Sequence, residues 1–217
     1  MPVITVSRLA GSGGASIGQR IAETLGASYL DTQILHQVGT RLGMSDAEAE
    51  QYDERAEAFI DRLARVMWLA SPVVEPVTNT SPPLPLKSTS QSFVEMTREV
   101  VREAAKTGNV VIFGHGAQYI LARQPNVLHV RFIAPFPDRV ARVMKRQNLS
   151  KAEAEHWVRT EDQRRADYAR QFYQADWFAP DAFHLVLNTS LWTPEACVRL
   201  VLTAATELRP APPSGGV

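Results

Sequence analysis

The stretch "ITVSRLAGSGGASIGQRIAETLG", residues 4–26, decides how the chain is read. "VITVS" (3–7) is a β-branched run suited to a buried strand. Ile17, Ile21 and Leu25 then recur at helical spacing, and Gly26 follows as a stop. Between strand and helix lies a glycine-rich turn. Such a turn exposes backbone N–H groups, and the helix dipole adds partial positive charge at the same point, which together bind phosphate. The full phosphate-loop pattern, G-x-x-x-x-G-K-[ST], also carries a lysine for the outer phosphates and a hydroxyl for Mg²⁺. Here Arg8 stands at the first glycine, Gly13 at the second, Gly14 at the lysine and Ala15 at the Ser/Thr, with Ser16 one position later. The loop has the layout of a phosphate site and lacks its usual cation.

Downstream, "SYLD" (28–31) reads as a second strand ending in an acid. Ser45 with Glu48 forms a capping box that opens a helix to about Leu69. Residues 71–90 hold five prolines and seven Ser/Thr and read as a long loop before a helix over 91–106. "NVVIFGHG" (109–116) is a continuous apolar run breaking into glycines, as in a strand covered on both faces, and "VLHVRFIAP" (127–135) is another strand. The helix from Pro137 shows Val140, Val143 and Met144 on one side and Arg139, Arg142 and Arg146 on the other. Ser150 with Glu153 opens an arginine-rich helix to about Tyr173. "FHLVLNTS" (183–190) is the last strand, a helix bearing Val198, Val201 and Leu202 follows, and residues 209–217 are expected to be a disordered tail.

Strands separated by helices predict an α/β domain with a mainly parallel, five-stranded sheet. Ligands of such sheets sit outside the carboxyl ends of the strands. Ser7–Ser16, Asp31, Gly114–Gly116, Pro135 and Asn188–Ser190 all fall there, which defines a candidate site.

Composition narrows the function classes. The 217 residues carry 23 Lys+Arg against 23 Asp+Glu, so no overall charge calls for nucleic acid or a membrane surface. Cys197 is the single cysteine, which excludes an internal disulfide and fits a reducing cytoplasm. No run approaches the ~18 apolar residues of a spanning helix, and the N-terminus lacks a signal peptide's pattern. Charge is uneven along the chain. Residues 45–62 hold seven acids against two arginines, and residues 139–170 hold nine bases against five acids. An arginine-dense segment in a neutral protein asks for an anion.

"YLDT" (29–32), "GHGAQYIL" (114–121), "RVMKR" (142–146), "RTEDQRR" (159–165) and "LNTS" (187–190) resemble the successive segments of a nucleoside monophosphate kinase. More narrowly, the chain resembles the cytidylate kinase-like family from about Val3 to Leu202. That resemblance implies a P-loop NTPase-like fold of three layers in one kinase-like domain over 1–208. Residues 45–106 would form a helical acceptor-binding region, and 147–180 an arginine-rich lid. It implies ATP as donor, CMP or dCMP as acceptor, Mg²⁺ as cofactor, and a monomer or homodimer. Gly11, Ser12, Gly13, Gly14, Ala15 and Ser16 would wrap the ATP phosphates, with Ser16 as the Mg²⁺-side hydroxyl. Asp31 would lie near the acceptor, and His115 at a nucleotide-binding position where the family pattern has arginine. Arg142 and Arg146 would contact the donor, and Arg159, Arg164 and Arg165 would close over the transferring phosphate. Ala15 likewise stands where the family's "GGRE" segment has arginine.

Two other readings fit parts of the pattern. Asp31 lies 20 residues after Gly11, about where a dinucleotide-binding domain keeps its ribose-binding acid, though Ser16 interrupts that fingerprint. A kinase homologue that binds nucleotide or a partner without turnover would also account for Gly14, Ala15 and His115. His36, His129, His156 and His184 show no metal-ligand spacing, and Asp162 is expected to orient arginines.

Overall fold

The structure, a computed structural model, describes residues 2–31, 41 and 86–208. The helix expected from Ser45, the proline-rich stretch up to residue 85 and the tail over 209–217 lie outside the described residues. The chain forms two compact units, Met1–Asp31 with Val101–Val217, and Thr32–Val100. In the second unit the described residues are Arg41 and the first part of a helix.

The elements are β1 (Val3–Arg8), α1 (Gly14–Leu25), β2 (Ser28–Leu30), α2 (Leu86–Thr107), β3 (Val110–Phe113), α3 (Ala117–Ile120), β4 (Val127–Ile133), α4 (Phe136–Gln147), α5 (Lys151–Tyr173), β5 (Leu185–Asn188) and α6 (Pro194–Glu207). The helix expected over 91–106 begins earlier, at Leu86. Pro85 is the last proline of the stretch, and nothing after it prevents a helix from starting.

The sheet is parallel throughout, in the order β2-β3-β1-β4-β5. β1 lies at its centre, paired Val6 to Phe113 on one side and Arg8 to Phe132 on the other. Side chains alternate across the strands. Ile4, Val6, Phe113, Leu128, Val130 and Phe132 form one buried face with Ile17 and Ile21 of α1 and Cys197, Val198 and Val201 of α6. Thr5, His129 and Arg131 face the other way. Arg131 packs under the rings of Trp177 and Phe183, at 4.3 and 5.0 Å, and donates to Trp177 O. Burial pulls its pKa below the ordinary arginine value.

Helix boundaries follow local chemistry. The expected capping box opens α5: Glu153 N donates to Ser150 Oγ at 3.4 Å, and Ser150 N donates to Glu153 Oε2 at 2.9 Å. Thr193 caps α6, accepting from Ala196 N at 3.2 Å, with Pro194 at the first helical position. α1 differs: its N-cap is Gly13, with no side-chain cap. Among the described residues, no helix is long and apolar enough to cross a membrane.

Candidate active site

The glycine loop runs from Leu9 to Gly13 and is held from outside by its carbonyl groups. Leu9 N donates to Phe132 O at 3.0 Å and Ser12 N to Leu9 O at 3.1 Å, which closes the turn. Ala10 O accepts from Arg139 Nη1 at 3.0 Å. Ser12 O accepts from Arg142 Nη1 at 3.1 Å and from Thr189 Oγ1 at 2.6 Å. Gly13 O accepts from Ile17 N at 3.4 Å and Ser16 Oγ at 3.0 Å. The carbonyls of Ala10, Ser12 and Gly13 are thus engaged. The amides of Gly14, Ala15 and Ser16, in the first turn of α1, have neither an intrahelical acceptor nor a side-chain cap. The loop therefore presents donors, and an anion is the complementary ligand. Gly11 must be glycine: its φ is 75°, and a Cβ there would lie 2.7 Å from Arg139 O.

α4 and α5 grip this loop through a buried ion pair. Asp162 Oδ1 accepts the Ala10 amide at 2.8 Å, and Asp162 Oδ2 lies 2.5 Å from Arg139 Nη1. The expected orienting role of Asp162 thus acts on Arg139. The sequence pattern put Arg139 on the polar side of α4, yet it is 7% exposed. Its burial rests on Asp162, a partner 23 residues away that helical periodicity does not register.

The expected arginines occupy different positions. Arg142 ties the loop to the end of β5, with Nη1 donating to Thr189 Oγ1 at 2.8 Å and Nη2 to Thr189 O at 3.0 Å. Arg146, one turn on, is exposed. Arg159 is exposed and lies over the Phe136 ring at 4.3 Å. Arg164 and Arg165 both hold Glu161, at 2.6 and 3.1 Å. Arg165 also lies 3.7 Å from Asp162, which places it beside the loop.

On the other side of β1, Asp31, expected near the acceptor, meets His115, expected at a nucleotide-binding position. His115 Nε2 donates to Asp31 O at 3.0 Å and lies 3.8 Å from Asp31 Oδ1. The end of α5 closes over this turn, with Tyr173 Oη donating to His115 O at 3.3 Å. A Cβ on Gly116 would fall 2.4 Å from the Tyr173 ring.

Sequence reading named Arg8 only as the residue at the first-glycine position. In the structure its guanidinium lies over the Phe113 ring at 4.0 Å and feels the charge of Asp31. Burial, then the neighbouring Arg165, bring its pKa down to about 10, with Asp31 opposing, so it is cationic at neutral pH. Burial also raises the Tyr29 phenol, and Asp31 adds to the rise.

The cytidylate kinase-like family matches residues 3–191. The chain belongs to the cytidylate kinase-like family. Among its relatives, the cytidylate kinase of Pyrococcus horikoshii is 29% identical over 214 residues, covering 98% of this chain and 93% of that one. The cytidylate kinase of Ignicoccus hospitalis is 24% identical, covering 93% of this chain and 97% of its own. An uncharacterised protein of Eubacterium ventriosum shares the fold at TM-score 0.65 and 14% identity, over 95% of this chain and 99% of that one. In this kinase-like family the parallel sheet, the glycine loop and the arginine-rich α5 form a P-loop NTPase-like architecture, and the dinucleotide-binding reading falls away.

Proposed function

We propose that the chain transfers the terminal phosphoryl group of ATP to a nucleoside monophosphate, CMP or dCMP first, as a monomer or homodimer in the cytoplasm. The observation that carries this reading is the uncapped first turn of α1, after a loop that α5 holds through Asp162 with Arg165 beside it, in a sheet whose β2 and β3 end at the Asp31–His115 pair. Family membership and the names of the archaeal relatives supply the substrate class.

An oxygen of the acceptor phosphate attacks the γ-phosphorus in line. The bond from γ-phosphorus to its bridging oxygen breaks, and ADP leaves with that electron pair. The attacking oxygen is already anionic, so no strong general base is required. The protein's work is alignment and neutralisation of charge. The amides of Gly14, Ala15 and Ser16 hold the donor phosphates, and Ala10–Gly13 set their direction. Arg164 and Arg165 stand on the lid side, Arg159 and Arg146 at its solvent edge, and Arg142 fixes the loop rather than reaching past it. Ser16 fits a role beside Mg²⁺: its hydroxyl donates to Gly13 O at 3.0 Å and keeps its oxygen lone pairs for a cation carried in with the nucleotide. Such a cation neutralises phosphate oxygens when bound. Among the described residues no cluster of three His, Cys, Asp or Glu offers a preformed metal cage.

The test is coupled-assay turnover with ATP against CMP, dCMP, UMP and AMP, alongside thermal shifts with the same nucleotides with and without Mg²⁺. Turnover with a pyrimidine monophosphate supports the reading. ATP binding without transfer to any monophosphate would leave a nucleotide-binding homologue instead.

A further inference from the structure

The missing lysine and the unexpected arginine are adjacent in space. A Cβ on Gly14 would lie 3.0 Å from Arg8 Cβ and 3.0 Å from Phe132 Cβ and Cδ2. A side chain at position 14 would need Arg8 and Phe132 to give way by a few tenths of an ångström. The space into which a lysine would start is shared by the stem of Arg8 and by Phe132. The two departures from the phosphate-loop pattern, arginine for the first glycine and glycine for the lysine, thus lie side by side.

The direction taken by Arg8 follows from the pleat. Ile4 and Val6 point to the α1 face of the sheet, and Arg8, two residues on, continues that row at the carboxyl end. Phe113 supports its guanidinium face at 4.0 Å, and Nη1 lies 3.9 Å from where a Gly114 Cβ would sit. Asp31 and Glu161 act on its charge from a distance. Among the described residues, no carboxylate comes within 4.0 Å of it and no acceptor takes its N–H groups. Arg8 is half-buried, and its unspent N–H donors remain open to an anion.

We infer that Arg8 is the fixed cation of the phosphate site, delivered from the end of β1 instead of the first turn of α1, and that Arg8 and Gly14 can be exchanged for glycine and lysine only together. This rests on reading the glycine loop as a triphosphate site. A guanidinium differs from a lysine in offering a planar fork of donors, so Arg8 is suited to contact two phosphate oxygens at once.

The experiment is calorimetric binding of Mg·ATP and of tripolyphosphate to the full chain and to Arg8→Gln, Arg8→Lys, Gly14→Lys and Arg8→Gly/Gly14→Lys, with Tm followed for each. Arg8→Gln keeps the stem over Phe113 and should weaken both ligands about 10- to 100-fold, the range for charge-assisted hydrogen bonds, with Tm little changed. Arg8→Lys should recover part of that loss. Gly14→Lys alone should lower Tm through its contacts with Arg8 and Phe132, and the double exchange, which removes the Arg8 contact and keeps the Phe132 one, should restore part of the Tm and at least tenfold of the affinity lost in Arg8→Gln. A folded Arg8→Gln that binds triphosphate within threefold of the parent overturns the inference, as does a double exchange no better than Arg8→Gln. A parent chain that binds triphosphate but phosphorylates no monophosphate contradicts the proposed function and leaves the Arg8 measurement standing. A parent that binds neither ligand overturns both.

Discussion

Asp162 and Ala10, 152 residues apart in the chain, meet through a 2.8 Å hydrogen bond from the Ala10 amide to Asp162 Oδ1. The same carboxylate holds Arg139, whose Nη1 donates in turn to Ala10 O at 3.0 Å. One residue of the loop is thus bound at both its N–H and its C=O by a single buried ion pair.

Removing Asp162 should therefore do more than remove an ion pair. Asp162→Ala leaves the Arg139 guanidinium buried without its carboxylate and the Ala10 amide without an acceptor. The expected loss is about 3–5 kcal/mol of stability, read by urea unfolding. A companion Arg139→Met in the Asp162→Leu background should return much of it, because an apolar pair of similar volume avoids the desolvation of two charges.

The attachment of the loop to β5 is shared between two donors. Arg142 and Thr189 both bond Ser12 O, so either can be lost while the other remains. Arg142→Ala and Thr189→Val should each cost about 1 kcal/mol, and the double variant should exceed their sum by about 1 kcal/mol, as the carbonyl is then bare. A double-mutant cycle on unfolding free energy measures this.

Gly116 is held by backbone conformation and by space. Its φ is 70°, and an added Cβ would meet the Tyr173 ring at 2.4 Å. Gly116→Ala should destabilise by about 2–3 kcal/mol, combining left-handed strain with the clash. In a Tyr173→Leu background the clash part should fall away and the backbone part remain. Thermal unfolding of the four proteins separates the two.

His129 makes stability depend on pH at the opposite end of the sheet. Its Nδ1 lies 2.7 Å from Thr5 Oγ1, and burial, followed by the neighbouring His184, lowers its pKa to about 4. The folded state keeps this imidazole neutral where the unfolded chain would bind a proton. Its contribution is therefore fully present above about pH 6.5 and is lost as pH falls toward 4, by about 3 kcal/mol in total. Unfolding titrations at pH 7 and 4.5 should show that difference in the parent and a much smaller one in His129→Gln.

Much of the fold was legible because it is encoded locally. The β-branched run at 3–7, the continuous apolar run at 109–113 and the Ser150–Glu153 capping box each carry their structure within a few residues. The site was legible in outline for the same reason, since strand ends and glycines mark it. Arg139 was not: an arginine among charged neighbours on a helix reads as solvated until its partner on another helix is known. Arg8 lay in between. The alternation of Ile4, Val6 and Arg8 already places it on the α1 face, but only the structure shows its Cβ 3.0 Å from where a side chain at Gly14 would begin.

The bond between Asp162 and Ala10 falls at the middle of α5, twelfth of its 23 residues. At about 1.5 Å per residue the helix extends roughly 17 Å to either side of that point. The first half of the helix packs Ala154 and Val158 on Val140 and Val143 of α4, and its last residue sets Tyr173 on Gly116 and His115. A single helix thus spans from the glycine loop, held at its middle, to the turn that meets Asp31, held at its end.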